Sequence, residues 1–148
     1  MADLDQIKKL REETQASIAD CRKALEEGNG DYGKALEWLK KRGAEIAEKK
    51  QDRETNQGLV DAYVHSGKVG VLVTLLCETD FVARTSEFKN LAHEIALQIS
   101  AMNPKDVDVL LKQEYIRDPK LTINDLIKQT IGKLGENIVV KEFSRHEL

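Results

Sequence analysis

The period of apolar and polar positions along the chain first changes near residue 56. Before that point apolar residues recur every three or four positions. Leu4, Ile7 and Leu10 share one helical face, and Ile18, Cys21, Ala24 and Leu25 share another. Thr14 is placed to cap the second segment, and the glycines of "EEGNGD" to stop it. Asp31 then caps a third helix carrying Ala35, Leu36, Trp38 and Leu39, with Gly43 placed to end it. The pattern predicts a three-helix unit with a core of about ten side chains, too small to bury much surface by itself. "AEIAEKKQDRETNQG" follows, mixed in charge and poor in large apolar residues, and reads as a solvated helix or linker.

From Leu59 the period shortens to that of strands. "LVDAYVH" and "KVGVLVTLLC" flank Ser66-Gly67, a hairpin signal. The second run is apolar on both faces from Val71 to Cys77, which predicts a central strand covered by helices. Ser86 is placed to cap a helix with Leu91, Ile95 and Ile99 on one stripe, ending before Asn103-Pro104. "KDVDVLLKQEYIRDPKL" is poorly periodic and reads as a connector with room for one short helix. Thr122 opens a clear helix, with Asp125 in the capping-box position and Gly135 closing it. "NIVVKEF" is a third strand. The expected fold is α+β: an N-terminal three-helix domain with a charged linker helix over 1–55, then a core domain over 56–148. That core domain is a small three-stranded antiparallel sheet packed by helices.

Composition narrows the function classes. The chain has 148 residues, 41% hydrophobic and 33% charged, with a net charge of -3. That balance suits a folded, soluble chain and gives no global electrostatic grip on a phosphate backbone. The basic residues Lys40, Lys41, Arg42, Lys49, Lys50 and Arg53 are interleaved with Glu45, Glu48 and Asp52, the look of a solvated helix face. Cys21 and Cys77 are too few for a disulfide framework. The opening "MADLDQIKKLREE" has no apolar signal region and no apolar run approaches the length of a membrane span, so a cytoplasmic chain is expected.

Enzyme chemistry has no visible constellation. The glycines of "EEGNGDYG" neither follow a strand nor match a dinucleotide fingerprint. His65, His93 and His146 share no zinc spacing with either cysteine. Both cysteines sit on apolar stripes, as small buried residues do. Glu78 and Asp80 lack a third polar group that would make them an acid–base pair. No catalytic residue, cofactor or metal is therefore expected. Phe81 is the open question: by pattern alone it is either a core residue at the strand-to-helix turn or an apolar anchor held out beside a charge, the form of an interface hot spot.

"TDFVAR" at Thr79 to Arg84 resembles the signature of translation elongation factor Ts, the guanine nucleotide exchange factor for elongation factor Tu. Further blocks agree in order: "IKKLREET" with "DCRKALEEGNGDYGKALEWLKKRGA", "GVLVTLLCETDFVARTSEFKNLAHEIALQI", and "IGKLGENIVVKEF". The resemblance covers nearly the whole chain. It implies a UBA-like N-terminal domain and a core of antiparallel sheet with helices. It also implies that Asp80 and Phe81 enter the partner's GTPase domain beside its magnesium and phosphate site, with Thr79, Val82 and Ala83 shaping the turn. The N-terminal contact would fall on Ala16, Ser17, Ile18, Ala19, Asp20, Cys21 and Arg22.

The partner implied is elongation factor Tu, with no direct nucleic acid or membrane contact, and compact family members often pair as homodimers. Three departures stand out. Where the family typically has Thr-Gly-Ala-Gly-Met-Met, this chain has Thr14-Gln15-Ala16-Ser17-Ile18-Ala19; Thr85 replaces the usual Asn; and the core lacks a largely helical stretch after "AMNPKDVDV". They keep a second reading open, an exchange-inactive binding module for elongation factor Tu or another protein.

Overall fold

Two hydrophobic clusters organise the chain, and one helix takes part in both. The computed structural model describes residues 3–148. In its first part, α1 (Leu4–Thr14) starts at Asp3, whose side chain accepts the Asp5 N–H at 3.0 Å. Thr14 is the last residue of α1 and does not cap the next helix; its hydroxyl donates to the Leu10 carbonyl at 2.7 Å. Gln15 turns the chain through the left-handed region (φ 61°), so capping passes to Ser17, which accepts the Asp20 N–H at 3.1 Å and opens α2 (Ile18–Glu27). Ile7, Leu10, Cys21, Ala24 and Leu25 close on Ala35 and Leu39 of α3 (Tyr32–Lys50). Leu4 and Ile18, placed on the same stripes by period, lie at helix starts and stay exposed.

Gly43 does not end α3, which continues to Lys50. A glycine inside a helix costs about 1 kcal/mol of propensity relative to alanine. Here the bare backbone serves a crossing: a Cβ built on Gly132 of α7 (Ile123–Leu134) would lie 2.9 Å from the Gly43 Cα. Beyond the crossing Ala47 is buried in the second cluster. α3 is thus shared by the two cores.

β1 (Gln57–His65), β2 (Val69–Cys77) and β5 (Val139–Glu147) form an antiparallel sheet in the order β1-β2-β5. Ser66 (φ 53°) and Gly67 (φ 68°) make the hairpin, both in the left-handed region that such turns require. β2 is central, as its apolar run predicts, but helices cover only one of its faces. Val71, Val73, Leu75 and Cys77 are buried, whereas Leu72 is 52% exposed and Val60, on the same open face, 64%. The chain between β2 and β5 lays its helices on a single side, so nothing in the described residues covers the other. A bulge at Lys141 lets β5 pair Thr74 with Glu142 and Leu75 with Val140, turning Val140 inward as well as Phe143.

The covering layer is α5 (Ser86–Met102), α6 (Val107–Lys112) and α7, preceded by the four-residue α4 (Asp80–Ala83). Thr85, in extended backbone, caps α5 in place of Ser86 and accepts the Phe88 N–H at 3.2 Å. The expected connector also holds a second small sheet, β3 (Glu114–Tyr115) with β4 (Asp118–Thr122). Fully buried Gln98 of α5 secures it, donating to the Glu114 carbonyl at 3.0 Å and accepting the Ile116 N–H at 3.0 Å. Thr122 and Asp125 form the capping box of α7, and Gly135 (φ 76°) ends it.

Candidate partner-binding site

β2 ends at Cys77, whose buried S–H donates to the Thr79 carbonyl at 3.1 Å. Burial first, and then the nearby Glu136 carboxylate, push this thiol's pKa up, so Cys77 is a neutral packing group and no nucleophile. Cys21 is likewise raised, mainly by burial. Thr79 caps α4, its hydroxyl oxygen accepting the Val82 N–H at 3.3 Å.

One turn of helix sorts the next four side chains. Val82 and Ala83 turn inward and are buried with Cys77, Phe88 and Leu91, while Asp80 and Phe81 turn out. The Phe81 ring is 79% exposed. Asp80 is exposed as well and accepts a hydrogen bond from the Arg84 guanidinium one turn on. An apolar ring therefore stands in water beside a carboxylate, on a helix anchored from behind.

The loop before the tip is held by groups that sequence reasoning passed over. Glu136, in the short connection between α7 and β5, accepts the Glu78 N–H (3.2 Å), the Thr79 N–H (3.0 Å) and the Thr79 hydroxyl (2.8 Å). Glu78 accepts the Asn137 N–H at 2.6 Å in return. The signal was present in outline: two polar residues between a helix-ending glycine and a buried strand must find partners for their side chains.

The N-terminal candidates form a separate patch. Ser17, Ile18, Ala19 and Arg22 are exposed at the start of α2, with Ala16 and Asp20 half-buried and Cys21 turned into the core. Arg42 of α3 lies 3.9 Å from Asp20. A cleft of about 740 Å³ runs from Ala16, Ser17 and Asp20 past α3 to Leu134 at the end of α7. Neither Asp80 nor Phe81 lines it, so the two patches are not one pocket. Among the described residues no group of three or more His, Cys, Asp or Glu side chains is arranged to hold a metal ion, and no helix is long and apolar enough to cross a membrane.

Comparison with known proteins gives one consistent result. The family model described as Elongation factor TS matches residues 78–148, from the loop before the tip to the end of β5. Elongation factor Ts of Thermoanaerobacter sp. (strain X514) is 42% identical over 193 residues, covering 99% of this chain and 95% of the relative. Elongation factor Ts of Thermotoga maritima is 42% identical, over 98% of this chain and 95% of its own length. That of Rippkaea orientalis is 40% identical, over 97% of this chain and 76% of its own. The aligned 193 residues exceed the 148 of this chain, so the relatives carry stretches with no counterpart here. With matches of this identity spanning nearly its whole length, the chain belongs to the elongation factor Ts family.

Proposed function

We propose that this chain is a guanine nucleotide exchange factor that binds elongation factor Tu carrying GDP and promotes GDP release by inserting the Asp80–Phe81 tip beside the partner's magnesium and phosphate site. The observation that carries this reading is the 79% exposed ring of Phe81 on a helix whose opposite face is buried. Exchange of this kind needs no proton transfer. A factor that stabilises nucleotide-free partner more than nucleotide-bound partner must, by linkage, weaken nucleotide binding by the same free energy. A coupling of roughly 4 kcal/mol corresponds to about a thousandfold change in affinity. Burying Phe81 in a partner slot would supply on the order of 2 kcal/mol of that. Asp80 would bring negative charge toward the partner's magnesium and phosphate site, while Thr79, Val82 and Ala83 hold the turn in shape.

In the same proposal Ala16 to Arg22 form a second contact with the GTPase domain, presented by a UBA-like three-helix domain over 1–55; residues 56–148 form the core domain, and the factor works in the cytoplasm. The altered Thr14–Ala19 stretch favours, as the alternative, a module that binds elongation factor Tu or another protein without driving exchange. The open sheet face around Val60, Leu72 and Val139 supports self-association, a second copy covering the apolar side chains that this chain leaves bare.

Release of labelled GDP from elongation factor Tu, with and without the chain, tests the main reading. Acceleration that is largely lost in Phe81→Ala is expected. No acceleration at any concentration would sink the exchange reading, and complex formation without acceleration would favour the binding-only alternative.

A further inference from the structure

We propose that Glu136 is a positioning residue for the Asp80–Phe81 tip, and that Glu78 and Asn137 extend its hold to the end of α3. The inference rests on the exchange reading for what the tip does, though not for how the tip is held. A helix of four residues does not order itself, because a first turn fixes several backbone angles for one hydrogen bond. The direction of Phe81 must therefore come from outside α4. Val82 and Ala83 fix its inner face by burial. At its start the backbone is held from outside by the Glu136 carboxylate, at the N–H groups of Glu78 and Thr79, and by the Cys77 S–H at the Thr79 carbonyl.

That carboxylate meets three donors at once. One oxygen takes the Glu78 and Thr79 N–H groups, and the other takes the Thr79 hydroxyl proton. Since the single hydroxyl proton is committed to Glu136, a lone pair of the same oxygen is left for the Val82 N–H, inside the turn that carries Phe81. A charged acceptor makes these bonds stronger than neutral ones. Glu136 thus sets both the backbone at 78–79 and the rotor of the helix cap.

The tie is reciprocal and reaches further. Glu78 returns its own carboxylate to the Asn137 N–H at 2.6 Å, and its other oxygen lies 3.5 Å from the Arg53 guanidinium. Asn137, 4% exposed, donates its side-chain amide to the carbonyls of Gln51 (3.3 Å) and Arg53 (3.0 Å), just past the end of α3. The tip loop, the α7–β5 connection and the exit of α3 are joined by one polar network. Each of the two carboxylates meets donors on both of its oxygens, as a buried polar network requires.

The test uses the full chain and two kinds of readout. In Glu136→Ala, amide hydrogen exchange at Thr79 and Val82 should quicken about tenfold or more, the factor given by ~1.4 kcal/mol of lost hydrogen bonding, while α5 amides stay protected. The maximal rate of stimulated GDP release should fall by a similar factor, with the half-saturating concentration changed less than about threefold. Glu136→Gln, which keeps one acceptor oxygen, should recover part of both. Thr79→Ala, with the carboxylate intact, serves should Glu136→Ala not fold. Unchanged amides at Thr79 and Val82, or loosened amides with an unchanged maximal rate, would overturn the proposal. If the unaltered chain does not stimulate release, the exchange reading fails, and the amide measurements alone decide whether Glu136 holds the tip.

Discussion

Phe81 and Phe88 lie on either side of one turn and meet opposite surroundings, 79% exposed and fully buried. Phe88→Ala should cost about 3–5 kcal/mol of folding stability through lost burial and a cavity. Phe81→Ala should stay within about 0.5 kcal/mol of the parent chain. Urea unfolding of both variants, read from the midpoint at unchanged slope, checks the contrast. A large loss in Phe81→Ala would mean that the ring supports the fold, and any loss of exchange would then have a trivial cause. Local pattern left Phe81 open because a single helical turn has room for either orientation. What decided its direction was Val82 and Ala83 taking the inner side, a matter of burial in the core of the sheet and its helices far more than of propensity.

At the scale of elements, features set by neighbouring residues were legible and those set across the fold were not. Asp31, the Thr122–Asp125 box, Gly135 and the Ser66–Gly67 hairpin stand where their chemistry puts them. Thr14 and Ser86 each have a second hydroxyl within three residues, and backbone direction gives the caps to Ser17 and Thr85. The β3–β4 hairpin was hidden because β3 has two residues and depends on Gln98, distant in sequence. The one-sided cover of β2 was equally hidden, since a run apolar on both faces does not say whether the second face finds a cover.

Gly43 looked like a helix end because its use lies on α7. The two glycines of that crossing should respond oppositely to alanine. Gly132→Ala drives a methyl group toward the Gly43 backbone, 2.9 Å away, and should destabilise by about 1–3 kcal/mol. A Cβ on Gly43 meets nothing within 4 Å, so Gly43→Ala should stabilise by about 0.4–1 kcal/mol. Thermal unfolding of the two variants side by side reads the sign directly.

At the scale of the whole molecule, the open face of the sheet is an apolar feature without a cover among the described residues. Val60, Val64, Leu72 and Val139 are all more than a third exposed on it. Sedimentation equilibrium should show a dimer whose dissociation constant rises at least about tenfold in Leu72→Glu, since a carboxylate buried between two sheets would lose its water without a partner. A chain that stays monomeric at every concentration would remove self-association from the proposal.

The shared helix carries a consequence of leverage. At about 1.5 Å of rise per residue, Tyr32 at the start of α3 stands about 17 Å along the axis from Gly43. A tilt of about 10° at the Gly43–Gly132 contact would swing that end roughly 3 Å, as far as a hydrogen bond is long. Two residues without side chains thus act as the fulcrum, and a methyl group added at Gly132 would move a surface that it never touches.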